Sequence, residues 1–173
     1  MGSTATARFV ILAAATALAG CGQPSSTANN AAASGTTTTA PTAAAPELTD
    51  AQKKALVAEL PAAYQGADLS NGEAKFAICR SCHTLAQGGE DMTGPNLWGI
   101  FGAKAGAKPG FNFSDDMKNA GWTWDADRLD KWIENPRAVL PATKMTFVGM
   151  QNATDRRDVI AFLKVQTSPA PKS

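Results

Sequence analysis

The sequence predicts an all-α domain, and three observations carry that prediction. Apolar residues recur at helical spacing behind N-cap signals at several points of the 173-residue chain. No stretch alternates apolar and polar residues as a half-buried strand would. The joining segments are rich in Gly and Pro, as connections between short helices are.

Residues 1–21 precede that domain. They begin with a short polar stretch holding Arg8, continue with Phe9-Val10-Ile11-Leu12 and run in alanines to Gly20. This pattern reads as the n-region and h-region of a secretory signal. Leu18-Ala19-Gly20-Cys21 resembles a bacterial lipobox, in which the cysteine is lipidated and becomes the new N-terminus. The alternative is an uncleaved anchor helix, for which the apolar run is short against the roughly 20 residues of a membrane span. Residues 22–46 hold small and polar residues and proline, with no charge and no large apolar side chain. Nothing there buries enough surface to offset ordering entropy, so the segment reads as a flexible tether with an r.m.s. reach of about 25–30 Å. Such a tether lets a soluble head visit neighbouring membrane complexes at high local concentration; a simple stand-off stalk is the plainer alternative.

The folded part is expected over 47–167. Thr49 and Gln52 have capping-box spacing and open a helix whose stripe is Leu56, Val57 and Leu60, ended by Pro61. Ser70 and Glu73 have the same spacing and predict a second helix that runs into Cys79, with Phe76 and Ile78 near its end. Residues 84–113 read as loop. Helical signals return at Ser114–Ala120, stopped by Gly121. A helix follows from about Asp125 to Asn135, with Leu129, Trp132 and Ile133 on one face and Pro136 stopping it. Residues 136–151 form a second loop. The last helix spans about Ala153 to Gln166, with Val159, Ile160, Phe162 and Leu163 on its buried face, and 168–173 is a disordered tail.

Between the second helix and the first loop stands Cys79-Arg80-Ser81-Cys82-His83. Two cysteines two residues apart with histidine following at once read as a covalent c-type haem attachment site. The thiols add to two vinyl groups on one porphyrin edge, and a helical turn holds them at the matching separation. His83 then lies under the ring, where its imidazole can bind iron. A structural zinc site usually needs four ligands, and the chain has one such pair and a single histidine. A redox dithiol of the thioredoxin kind wants a βαβ setting, which is missing here. A plain disulfide at this spacing is strained and leaves His83 without a role.

Composition bounds the partners. Hydrophobic content of 44% and charged content of 18% suit one ordinary domain with appendages. Setting Arg8 aside leaves 15 basic against 15 acidic residues, so the folded part is neutral and shows no basic excess of the kind that binds nucleic acid. Any electrostatic steering must come from local patches.

The run Cys79–His83, then Gly94-Pro95-Asn96-Leu97, Gly121-Trp122-Thr123-Trp124, Asn135-Pro136 and Pro141-Ala142-Thr143-Lys144-Met145, resembles a class I cytochrome c, of the mitochondrial and bacterial short-chain kind. The resemblance covers about Gly72 to Val165 and implies a small all-α fold wrapped around one covalent haem, with the helix near 50–60 as an addition. It implies His83 as proximal iron ligand and Met145 as the sulfur ligand opposite. It also implies that the Pro95 carbonyl takes the other ring proton of the histidine and that Trp124 donates to a haem propionate. Gly72 and Phe76 would cross Val159 and Phe162. From the residues alone, Met92, Met117 and Met150 are rivals to Met145, Met150 the nearest of them, and a methionine is more often a gap-filler than a ligand. Ala103, Phe113 and Trp132 depart from the family, standing where an arginine and two tyrosines are frequent. The first two changes remove donors to a buried propionate and are expected to lower the reduction potential, unless Lys104 compensates.

The function these readings imply is a one-electron carrier of a respiratory chain and not an enzyme. Histidine and methionine fill both axial positions, so no catalytic residue is assigned. By resemblance the donor is a quinol–cytochrome c oxidoreductase and the acceptor a terminal oxidase, with Arg80, Arg137 and Lys144 near the haem edge. The chain is expected to be a monomer, anchored to a bacterial membrane through lipidated Cys21 with its haem domain in the periplasm. The rival readings are a haem enzyme or gas or peroxide sensor with an open sixth position, and a fixed electron-entry subunit of a dehydrogenase.

Overall fold

The computed structural model describes residues 47–171. Cys21, the expected lipidation site, and residues 22–46, the expected tether, lie outside them. Among the described residues seven helices form and no strand does. They are α1 (Asp50–Ala58), α2 (Ala62–Gln65), α3 (Leu69–Phe76), α4 (Asp115–Lys118), α5 (Ala126–Glu134), α6 (Pro136–Val139) and α7 (Ala153–Thr167). None of them is long and apolar enough to cross a membrane.

Short polar side chains start most of these helices. Thr49 forms the reciprocal capping box with Gln52 at α1. Ser114, Asp125 and Asn152 each accept from N–H groups of the following turn and open α4, α5 and α7. Three expectations need correction. Ser70 does not cap the second helix. Asp68 does, accepting from the Ser70 and Asn71 N–H groups, so α3 begins one residue before Ser70. It ends at Phe76, and the cysteine pair lies on the turns beyond it rather than in α-helix. Pro136 does stop α5, but it also opens α6, with Asn135 capping the Ala138 N–H, so 136–151 is not wholly loop. Proline suits a first helical position because its missing N–H has no intrahelical partner there. Similarly, α1 ends at Ala58, ahead of Pro61, and Pro61 starts α2.

The long helix α7 is the hub. α3, α5, α1 and α2 all pack on it. Val159, Ile160, Ala161, Phe162 and Leu163 are at most 3% exposed, so α7 is covered nearly all round at its middle. The crossing with α3 is the tightest constraint on the site. A Cβ at Gly72 would stand 2.2 Å from the Asp158 carbonyl oxygen and 2.8 Å from the Phe162 Cβ. One turn on, the Phe76 and Phe162 rings meet at 5.6 Å.

Polar groups lock the same crossing. Asp158 is 1% exposed and accepts from the Asp68 N–H (3.1 Å), Asn71 Nδ2 (2.8 Å) and Arg157 Nη2 (2.7 Å). Burial works to raise its carboxyl pKa, but the bonds from Asn71, Arg157 and Asp68 outweigh it and hold the group below the usual carboxylate value. Arg156 joins α7 to α5 through Asp130 (2.8 Å) and reaches the carbonyls of Met150 and Gln151. The leading helices are tied in by Lys164 to Glu59 (2.7 Å) and by the Tyr64 hydroxyl to Asp127 (3.0 Å).

Two outcomes follow for the haem-loaded protein. Gly72→Ala forces the two backbones apart and should lower unfolding free energy by about 3 kcal/mol in a urea titration. The depressed Asp158 contributes stability above its unfolded pKa of about 4, and that stability is lost as pH falls through the lower folded value. Asp158→Asn should therefore cost about 2 kcal/mol at pH 7 and flatten the fall in stability below about pH 4.

Candidate functional site

A cavity of about 690 Å³ opens between the α3–α7 pair, α5 and the two long loops. Its lining includes all six of the described residues singled out from sequence: Cys79, Cys82, His83, Pro95, Trp124 and Met145. Its size lies within the range of pockets that hold cofactor-sized ligands.

The cysteine pair reaches the cavity because the chain keeps turning after α3. The Cys79 and Arg80 N–H groups donate to the Phe76 carbonyl at 2.8 and 3.2 Å, and those of Cys82 and His83 to the Cys79 carbonyl, both at 3.0 Å. Both sulfurs and the imidazole are thus delivered to one wall, with Phe76 anchoring the turn in the core. Burial pushes the Cys79 thiol up to about 11, and neighbouring Cys82 adds to the rise.

His83 is oriented from both sides. The Pro95 carbonyl accepts from Nδ1 at 2.7 Å, so the proton sits on Nδ1 and the Nε2 lone pair is left free. Burial lowers the imidazole pKa, only partly opposed by the Pro95 bond, and favours the neutral form that a metal requires. The ring lies on Gly94, where a Cβ would stand 2.3 Å from Cε1 and 2.7 Å from each ring nitrogen. Pro95 is held in turn by Asn96, whose side-chain amide donates to Thr84 Oγ1 (2.8 Å) and the Ala86 carbonyl (2.9 Å). Asn96 had no role in the sequence reading. Its burial shows only in the structure, and its place between Pro95 and Leu97 in a loop does not distinguish it from a solvated turn residue.

Met145 enters from the segment after α6. Its N–H donates to Thr143 Oγ1 (3.2 Å), and Lys144 Nζ donates to the Asn112 carbonyl at 2.9 Å, pinning this segment to the first loop. The rivals separate clearly. Met92 and Met150 do not line the cavity, and the Met150 carbonyl is bound by Arg156. Met117 does line it, buried at 6% on α4. The nearest rival is therefore Met117 and not Met150, because the backbone bond from Met150 to the Ile133 carbonyl holds it against α5.

Trp124 and Trp132 pack edge to face at 5.5 Å and are each 7% exposed. The 102–105 and 122–124 segments exchange backbone bonds, including Trp124 N–H to the Ala103 carbonyl at 2.9 Å, and so fix Trp124. Ala103, Lys104, Phe113 and Trp132 all line the cavity, so the departures noted in the sequence do fall on its wall. Its charged lining consists of Lys104, Lys108 and Lys144, with no carboxylate. Arg80 and Arg137 are not part of it, and Arg80 pairs with Glu73 at 3.1 Å. Trp122 Nε1 is buried with no acceptor among the described residues.

These features fit a covalent haem. A largely apolar slot has two thiols at one edge, a neutral imidazole with a free nitrogen on one wall, a thioether in reach of the same space, and cations but no anions for the carboxylates of such a group.

No protein-family model matches the chain. It is 51% identical over 104 residues to cytochrome c2 of Rhodomicrobium vannielii, a match covering 60% of this chain and 83% of that protein. It is 43% identical over 89 residues to cytochrome c2 iso-2 of Magnetospirillum fulvum, covering 51% and 92%. It is 43% identical over 105 residues to cytochrome c of Stellaria longipes, covering 60% and 97%.

Gly94→Ala tests the His83 geometry. The added methyl group overlaps the imidazole, so the variant should lose the absorption spectrum of a histidine-ligated haem, whereas Gly66→Ala, with nothing within 4 Å of its Cβ and a negative φ, should retain it. Absorption spectra of the two purified variants decide the matter.

Proposed function

Because the chain belongs to the cytochrome c family of electron carriers with covalently attached haem c, we propose that it passes single electrons through a haem bound by Cys79 and Cys82 and ligated by His83 and Met145. One observation carries the residue assignment: the two thiols, the imidazole and the Met145 side chain line a single cavity. The haem supplies a one-electron couple at its iron, with a potential raised by a methionine ligand relative to a second histidine.

The protein's part is positional. Cys79 and Cys82 fix the group at one wall. Gly94 and the Pro95 carbonyl set the face and tautomer of His83, and Thr143 and Lys144 set Met145. With His83 and Met145 both holding the iron, the protein would leave no coordination site for a substrate, and few of its groups would have to move when charge is gained or lost. Trp124 is the proposed propionate donor, and Lys104 the compensating cation for the donors that Ala103 and Phe113 lack. Lys108 pairs with Asp91 and Lys144 bonds carbonyls, so Lys104 is the lining lysine whose ammonium has no partner among the described residues.

The same reading places the carrier in a respiratory chain, between a quinol–cytochrome c oxidoreductase and a terminal oxidase. It also takes Cys21 as the lipidated anchor of a bacterial envelope protein, with the haem domain on the periplasmic side. The lipobox pattern and the uncharged tether support this part.

In the oxidised protein a methionine-to-iron charge-transfer band is expected. Met145→Ala should abolish it, lower the reduction potential and let the reduced protein bind carbon monoxide, while Met117→Ala should keep the band. Persistence of the band in Met145→Ala overturns the ligand assignment. Mass spectrometry of the mature protein should show one haem, together with acyl chains on Cys21.

A further inference from the structure

The peptide group between Pro95 and Asn96 is bonded at both ends. Its carbonyl accepts from His83 Nδ1 at 2.7 Å, and its N–H, on Asn96, donates to Asp91 Oδ1 at 2.7 Å. One planar amide therefore stands between the imidazole and a carboxylate. Resonance couples the two ends of an amide, because its C–N bond has partial double-bond character. A carboxylate that accepts from the N–H pushes electron density towards the carbonyl oxygen and makes it a stronger acceptor, since hydrogen bonds in a chain polarise one another. The imidazole at the far end becomes a more basic ligand at Nε2.

Asn96 holds this peptide still. Its side chain donates to Thr84 and Ala86 and accepts from the Trp98 N–H at 3.1 Å, and its carbonyl accepts from Lys108 Nζ at 3.3 Å. Asn96 is buried, so water competes little for these bonds. Asp91 and Lys108 lie nearer solvent, with side chains 30% and 33% exposed. Lys108 Nζ donates to Asp91 Oδ1, the same oxygen that the Asn96 N–H reaches. That ammonium, together with the Asn96 N–H, holds the Asp91 carboxyl below the usual carboxylate range, so the group is an anion at neutral pH. Lys108 also draws charge from the shared oxygen and so opposes its push on the peptide.

We infer that Asp91 acts on His83 through the Pro95–Asn96 peptide as a remote electron-donating group, with Lys108 as its opposing cation, and that this pair sets how strongly His83 donates to the haem iron. This rests on the reading of His83 as the iron ligand and adds two residues to it. Both are positioning residues that act through the peptide. A more basic imidazole favours ferric iron, so Asp91 lowers the reduction potential and Lys108 raises it.

The full haem-loaded chain is measured in two ways. NMR of the reduced, diamagnetic protein follows the His83 Nδ1 proton, which moves downfield as its bond to Pro95 strengthens. Redox titration of the same samples gives the midpoint. Asp91→Asn keeps an oxygen for the Asn96 N–H and removes the charge. It should move the proton upfield and shift the ferric-to-ferrous ratio at the wild-type midpoint about fivefold towards ferrous. Lys108→Met keeps the apolar stem and removes the cation, and should move both readings the opposite way. A loosened loop would move the proton upfield in both variants. A charge acting only through space would move the potential and leave the proton where it is. Either result overturns the inference, and Lys108→Met alone decides the sign if Asp91→Asn fails to fold. Wild-type protein whose spectrum lacks a histidine-ligated haem overturns the ligand reading itself, whereas an intact spectrum with an unmoved proton in both variants overturns the relay alone.

Discussion

A helix crossing with no room for a methyl group governs this structure. Gly72 lets the α3 backbone lie against the Asp158 carbonyl, and the direction of α3 is thereby fixed relative to α7. Everything on one wall of the cavity follows from that direction. Phe76 lands on Phe162, the turn after it brings Cys79 and Cys82 round, and His83 is delivered to Gly94 and Pro95. A shift of α3 by even an ångström would have to be absorbed by the thiols or by the imidazole. Packed interiors leave little slack for that.

The second constraint is a chain of hydrogen bonds that leads away from the imidazole. His83 is held by the Pro95 carbonyl, Pro95 stands next to buried Asn96, and Asn96 is held by Thr84 and Ala86. The first loop therefore needs no regular secondary structure to be rigid where it matters. Its polar groups are satisfied by one another, which is what allows an irregular backbone to line an apolar slot.

Much of this was legible in the sequence, for identifiable reasons. The attachment motif is local, so its chemistry is read from five adjacent residues. Helices with strong caps were placed closely: Asp125 and Asn135 flank α5, and Asn152 opens α7 where the apolar stripe begins. The failures have one cause in common, which is competition between nearby signals. Ser70 and Glu73 matched a capping box, but Asp68 stood two residues earlier with a carboxylate able to accept two N–H groups, and it won. Pro136 is a stop for one helix and a good first residue for the next, and spacing alone does not show which role dominates. Met117 and Met150 were misranked because proximity in sequence to Met145 says nothing about which side of α5 a loop residue meets.

The charge distribution was the least legible feature, and it bears on what the cavity can hold. Beyond Arg8, acids and bases cancel, which suggests no preference for an anion. The structure sorts them. Carboxylates gather at helix starts and in the α3–α7 and α5–α7 contacts, where Asp158, Asp155 and Asp130 find Arg157, Lys75 and Arg156. None of them is in the cavity lining, which holds three lysines. Two of these are restrained by Asp91 and by loop carbonyls, so the wall is mildly positive and not strongly so. An apolar slot of that kind suits a flat group with a small negative charge at one edge. It would admit a dianion, because the wall sets three lysines, only one of them ion-paired among the described residues, against no carboxylate of its own.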